Sequence, residues 1–214
     1  AKNIRINLIN MFTSAATAIH IRCLICRTRG IKKMNDFEIG ILNFIHDTFA
    51  CPFLDRVMPI ITLFGDKGIF WIAAALLLII IKKTRKTGVM MGTALLLGLI
   101  IGNLILKNAV ARTRPYDVNT AMQAELLVKT LSDFSFPSGH TLASFEAATV
   151  LMIRDKRFGI PALILAILIA LSRLYLYVHY PTDVLAGALL GVFIGIFACF
   201  LVDKIYKRFE RKIA

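Results

Sequence analysis

Charge is what this sequence has least of. Only 18% of its 214 residues are Asp, Glu, Lys or Arg, against about 25% in a soluble domain of ordinary composition. Cysteine is scarce and badly placed for a metal. Cys23 and Cys26 form one CxxC with no second pair and only His20 nearby, short of the ligand set a zinc site needs. Cys51 and Cys199 read as membrane-flank and core residues. Acids are missing altogether from the first 33 residues, which hold seven basic side chains. No internal repeat is visible, which argues against the inverted-repeat architecture of many transporters.

What the chain has instead is apolar length. It is 57% hydrophobic with a mean hydropathy of +0.72, and the apolar residues come in blocks: 69–81, 88–106, 141–153, 160–171 and 184–202. About 20 residues cross a bilayer, and shorter blocks need polar flanks to reach its surface. The pattern predicts an all-α, polytopic membrane helix bundle with five spanning helices. A sixth candidate, 53–64, is short and carries Asp55, Arg56 and Pro59; it either spans or lies in the interface. The bundle is expected to be one membrane-embedded domain over 34–214. Residues 1–33 form a basic arm, read either as a membrane-surface segment or as a disordered or over-extended start ahead of Met34.

The net charge of +13 does not point to nucleic acid, because it is not spread over one face of a soluble fold. Lys82, Lys83, Arg85 and Lys86 cluster in one connection, Arg154, Lys156 and Arg157 in another, and Lys204, Lys207, Arg208, Arg211 and Lys212 at the end. These are alternate connections of one serpentine, so the positive-inside rule places them all in the cytoplasm. The connections around 65–68, 109–139 and 179–183 then face outward.

That outward level holds polar groups a bilayer segment normally lacks. Lys107 ends one apolar block, and Arg114 follows it just before Pro115. His140 opens another block after Pro137, Ser138 and Gly139. Arg173 lies six residues before His179, and Asp183 closes the set. Singly, each has a plain explanation: Lys107 can snorkel, Arg173 can pair with Glu146, and His179 can sit in an aromatic belt. Jointly, Lys107, Arg114 and Arg173 outnumber Asp183, and the surplus positive charge calls for an anion, best a phosphate. A Pro-Ser-Gly-His turn entering a helix suits that ligand. It leaves N–H groups at the positive end of the helix dipole, and Gly139 permits close backbone approach. Ser138 either caps the helix or binds a ligand oxygen.

These residues resemble the three-part signature of the type 2 phosphatidic acid phosphatase superfamily: lysine, six residues and Arg-Pro; Pro-Ser-Gly-His; then Ser-Arg, five residues, His, three residues and Asp. Lys107 with Arg114-Pro115, Pro137–His140 and "SRLYLYVHYPTD" from Ser172 to Asp183 match in order and spacing. The resemblance implies the helical core shared with vanadium haloperoxidases. It implies a lipid phosphatase that works through a phosphohistidine, without metal or other cofactor. His179 would be the nucleophile, Asp183 its orienting partner and His140 the proton donor. Lys107, Arg114, Ser138, Gly139 and Arg173 would bind the phosphoryl oxygens. The partners implied are a lipid phosphate and the bilayer of a bacterial plasma membrane, with the site outside the cytoplasm. Undecaprenyl diphosphate is favoured; phosphatidylglycerophosphate and phosphatidic acid fit as well. Transfer to a second lipid would use the same residues, and a non-enzymatic transporter is the rival of another class.

Three further stretches carry weaker expectations. The glycines at 187, 191 and 195, and those at 98 and 102, are spaced for close helix packing inside the bundle. "AMQAELLVKTL" is amphipathic enough for a short surface helix, and "FGDKG" reads as a tight external turn.

Overall fold

The structure, a computed structural model, describes residues 35–213, with side chains through residue 208. The chain divides into two units, Ala1–Gly40 and Ile41–Ala214. Of the first, residues 35–40 are helical; the basic arm at 1–33, its CxxC and the proposed start at Met34 lie outside the described residues.

The second unit is all-helical, with no strand among the described residues. Residues 41–49 form α1, and Pro52–Leu63 forms α2, with proline in its first turn. A tight turn follows, with Lys67 at φ 48° and Gly68 at φ 67°, as expected for the backbone at "FGDKG". Then come α3 (Ile69–Ile80) and α4 (Arg85–Gly98), which runs on as a π-helix over Leu99–Leu106 and an α-turn over Lys107–Val110. After a long connection come α5 (Gly139–Arg154), α6 (Lys156–Tyr175) and α7 (Pro181–Ile213).

Four stretches are long and apolar enough to cross a membrane: Pro52–Ile80, taken across the turn, Arg85–Val118, Lys156–Tyr175 and Pro181–Arg208. The expected fifth span, α5, has 16 residues. It is the inner helix of the bundle, packed against α4, α6 and α7, and it buries Thr141, Ser144 and Glu146 together with Leu142, Ala147 and Val150. The outer helices do the reverse. α3 buries Trp71 and Ala75 and exposes Leu76, Leu77 and Ile80, while α7 exposes Leu185, Leu189, Phe193 and Phe200. In water such continuous apolar faces would drive association; facing lipid they are the ordinary exterior of a bundle whose backbone bonds are all internal.

The small-residue stripes do what their spacing suggested. A Cβ on Gly191 would lie 2.7 Å from the Leu142 carbonyl oxygen, and one on Gly195 would lie 2.8 Å from Thr149. α7 therefore touches α5 backbone to backbone. Gly98 and Gly102 instead receive the side chains of Glu146 and Leu142, closing α4 onto α5. At the basic end, Lys86 pairs with Asp203 across α4 and α7 at 2.5 Å.

The amphipathic run in the α4–α5 connection is not one helix. Thr120–Glu125 is a short 3₁₀ turn, and the chain continues irregularly. Leu131 is fastened to Tyr116, whose hydroxyl accepts from its N–H and donates to its carbonyl, both at 2.9 Å.

Candidate active site

The residues that open and close the helices on one side of the bundle make the site. Lys107 follows directly on the π-helix, where the wider turn (Lys107 N–H to Gly102 carbonyl) shifts the register of the last helical residues, as π-segments often do near functional groups. Arg114 stands just before the four-residue helix Pro115–Val118. His140 is the second residue of α5, Arg173 lies in the last turn of α6, and Asp183 in the first turn of α7. His179 occupies the short connection between them.

His179 and Arg114 are in direct reach: Arg114 Nη1 lies 3.4 Å from His179 Nε2, and also donates to the Val178 carbonyl at 2.8 Å. The other ring nitrogen, Nδ1, faces Asp183 Oδ2 at 3.6 Å and Ser135 Oγ at 3.4 Å. The two nitrogens thus have separate surroundings, cation on one side and carboxylate with hydroxyl on the other. His179 is 1% exposed. Burial above all pushes its imidazole down, to about 3, reinforced by Arg114 and Arg173 and opposed by Asp183. At neutral pH the ring is uncharged.

Asp183 is fully buried and heavily engaged. Oδ1 accepts from Arg112 Nη1 at 2.7 Å; Oδ2 accepts from Ser135 Oγ at 2.5 Å and from the Tyr180 N–H at 3.0 Å. Its backbone carbonyl takes the Ser138 N–H at 3.1 Å, which ties the start of α7 to the Pro-Ser-Gly-His turn.

Lys107 and Arg114 share one carboxylate, Asp133. Lys107 Nζ binds Oδ2, and Arg114 Nη2 binds Oδ1 at 2.5 Å. Burial alone would raise the Asp133 carboxyl, but the hydrogen bonds and charges of Lys107 and Arg114 outweigh it and hold the group at about 2. Arg173, also buried, donates to Thr62 Oγ1 at 2.5 Å while its Nε has no hydrogen-bond partner among the described residues. The pairing of Arg173 with Glu146 is not what the structure shows: Glu146 Oε1 has no hydrogen-bond partner among the described residues and lies against Gly98. His140 stands within electrostatic reach of Arg173, His179, Lys107 and Arg114, and its ring lies close under the turn at Gly65, where a Cβ would come within 2.8 Å of it.

The Pro-Ser-Gly-His turn is more specific than a cap. Ser138 is the residue before α5 but makes no side-chain cap; its hydroxyl shares a hydrogen bond with Thr141 at 2.9 Å. At Gly139 a Cβ would sit 2.9 Å from Asn103 Oδ1, so α4 leaves no room for a side chain there.

All eight residues singled out from the sequence therefore lie at one end of the bundle, with Arg114, His179 and Asp183 in contact or one atom apart. Three members were not foreseen. Arg112, two residues before Arg114, and Ser135, three before Ser138, converge on Asp183, and Asp133 takes the two cations. Among the described residues no three His, Cys, Asp or Glu side chains are grouped to hold a metal ion. What the arrangement offers is a neutral imidazole with one face toward cationic donors, which suits phosphoryl chemistry.

Comparisons with known proteins place the chain in a family. The family model described as the PAP2 superfamily matches residues 87–207. An undecaprenyl-diphosphatase of Sulfolobus acidocaldarius is 36% identical over 143 residues, covering 66% of this chain and 68% of that protein. The crystal structure of Aquifex aeolicus LpxE superposes with a TM-score of 0.62 at 28% identity, covering 74% of this chain and 92% of that one. A transmembrane PAP2-type phosphatidylglycerolphosphate phosphatase from Bacillus subtilis gives the same TM-score at 27% identity, covering 85% and 88%. With the motifs, the helical core and more than half the chain in agreement, the protein belongs to the PAP2 superfamily.

Proposed function

We propose that the chain is an integral membrane lipid phosphatase that cleaves a lipid phosphate or diphosphate ester through a phosphohistidine at His179. The observation that carries this reading is the division of the imidazole between Arg114 at Nε2 and the Asp183–Ser135 pair at Nδ1. Nε2 is the nitrogen turned toward the cations that would hold a phosphoryl group, so it is the attacking atom. Its lone pair forms the N–P bond as the bond from phosphorus to the leaving oxygen breaks. The ring becomes cationic, and Asp183 stabilises it through Nδ1–H. His140 gives the leaving oxygen its proton. In the second half a water attacks phosphorus, gives its proton to His140, and the N–P bond breaks to return a neutral His179 and inorganic phosphate. Lys107, Arg114 and Arg173 neutralise the equatorial oxygens, with Ser138 and the Gly139 N–H at the mouth of α5; this is the charge stabilisation that phosphoryl transfer requires. No step in this scheme calls for a metal ion.

Undecaprenyl diphosphate is the substrate this reading favours. Support comes from the activity named for the Sulfolobus relative and from the position of the cations at the ends of apolar helices, where a headgroup lies while its tail stays in lipid. The plasma membrane is the location that follows, with the site outside the cytoplasm, since the basic connections 82–86 and 154–157 lie at the far ends of the helices from Lys107, His140 and Arg173. Phosphate release by purified protein in detergent with EDTA, over undecaprenyl diphosphate, phosphatidylglycerophosphate and phosphatidic acid, tests it. Release from undecaprenyl diphosphate that survives EDTA is expected. Loss on chelation contradicts the metal-free scheme, and phosphate appearing on a second lipid instead of in solution makes the enzyme a transferase.

A further inference from the structure

Asp133 holds the two cations best placed to receive phosphate. One of its carboxylate oxygens takes the Lys107 ammonium, the other takes Arg114 Nη2 at 2.5 Å, and its backbone carbonyl accepts from Arg114 Nε at 2.9 Å. Two anionic oxygens spread over an ammonium and a guanidinium place the same demands as two oxygens of a phosphoryl group. Asp133 nevertheless differs from its partners. Its side chain is 50% exposed, against 11% for Lys107 and 2% for Arg114. It also stands in the irregular segment 126–138, so it can swing away without unwinding a helix, whereas Lys107 is fixed at the end of α4.

We propose that Asp133 is a built-in competitor for the phosphate subsite: it occupies Lys107 and Arg114 in the resting enzyme, yields them to the substrate's phosphoryl group, and retakes them as inorganic phosphate leaves. The proposal rests on the phosphatase reading above and adds a product-release step to it. Without Asp133, Lys107 and Arg114 would face no carboxylate partner among the described residues, and such a site would retain a dianionic product. A carboxylate tethered in the same chain competes at high effective concentration. It weighs more heavily on product than on substrate, because the lipid tail and leaving group give the substrate binding energy that free phosphate lacks.

The alternative role, a strut that holds Lys107 and Arg114 in place, has the opposite sign. Removing a strut weakens phosphate binding; removing a competitor strengthens it. The test is product inhibition of the full-length protein in detergent micelles by inorganic phosphate, for wild type, Asp133→Asn and Asp133→Ser. Two neutral variants are used so that poor folding of one, visible by size-exclusion chromatography, does not decide the outcome. The inhibition constant for phosphate is expected to fall on the order of tenfold. KM should fall with it, and kcat should fall as release slows. An inhibition constant that is unchanged or raised in the folded variants overturns the proposal. Arg114→Gln separates this failure from a deeper one. If phosphate inhibition is lost in Arg114→Gln but unchanged in the Asp133 variants, only the competitor role is wrong. If Arg114→Gln inhibits like wild type, the phosphate subsite itself is misplaced, and the competitor falls with it.

Discussion

Arg112 grips the carboxylate that faces His179: its Nη1 donates to Asp183 Oδ1 across 2.7 Å, and its guanidinium lies 3.8 Å from the centre of the Tyr180 ring. A carboxylate held on one oxygen by a fixed arginine cannot rotate, so its other oxygen stays aimed at Ser135 and His179 Nδ1. Residues that orient a functional histidine through an intermediary cost about 10- to 100-fold in activity when removed. Arg112→Met is therefore expected to lower kcat by that range with little change in KM, measured by steady-state phosphate release. A rise in KM at constant kcat would instead make Arg112 a substrate ligand.

Ser135 stands between the same two groups, at 2.5 Å from Asp183 Oδ2 and 3.4 Å from His179 Nδ1. Ser135→Ala removes one donor from that oxygen and leaves the Tyr180 N–H on it, so the oxygen can shift toward the imidazole. A smaller loss is expected than for Arg112→Met, and the double variant should lose less than the product of the two single effects, since both act on one carboxylate. A double-mutant cycle in kcat/KM reads this directly; strict additivity would mean that the two residues act independently.

His179 gives a pH dependence with a definite sign. Its pKa is pushed from the ordinary 6.5 to about 3, so within that window the unfolded chain binds a proton that the folded chain does not. The neutral, buried ring thus contributes progressively less to stability as pH falls from 6.5 toward 3. Thermal denaturation in detergent across this window should show stability falling with acid more steeply in wild type than in His179→Gln. Parallel curves would mean that the ring is protonated in the folded protein.

The glycine contacts separate two kinds of steric cost. A Cβ on Gly191 meets the Leu142 carbonyl of α5 at 2.7 Å, and backbone cannot give way. One on Gly98 meets Glu146 Oε1 at 1.8 Å, the far end of a side chain. Gly191→Ala should cost about 1–3 kcal/mol of overpacking, whatever is done elsewhere. The cost of Gly98→Ala should largely vanish in a Glu146→Ala background. Thermal stability of the single and double variants in micelles checks both; a penalty for Gly98→Ala that persists without Glu146 would place the obstruction elsewhere.

The parts of this molecule that were legible in the sequence are those governed by periodicity or fixed spacing. Apolar blocks marked the helices, and glycines four apart marked close packing inside the bundle without saying which helices meet. The three motifs led to one cluster because each sits at a helix end. The residues that escaped notice depend on irregular backbone. Asp133 and Ser135 lie in a connection whose path is set by fastenings such as Tyr116 to Leu131, and no local pattern forecasts where such a segment returns. Missing Asp133 and Arg112 together left the cationic surplus unchanged, but it hid the carboxylate that takes Lys107 and Arg114. Glu146 shows a related limit: a charge inside a helix suggests pairing with an unmatched cation, but Arg173 turns to Thr62 and Glu146 to Gly98.

The most direct test of the covalent route is to mix enzyme with undecaprenyl diphosphate, quench in alkali within a turnover, and locate phosphate by mass spectrometry. Phosphate on the peptide containing His179 is expected in wild type and absent in His179→Asn. Steady turnover with no phosphorylated peptide, or with phosphate on another side chain, would contradict it.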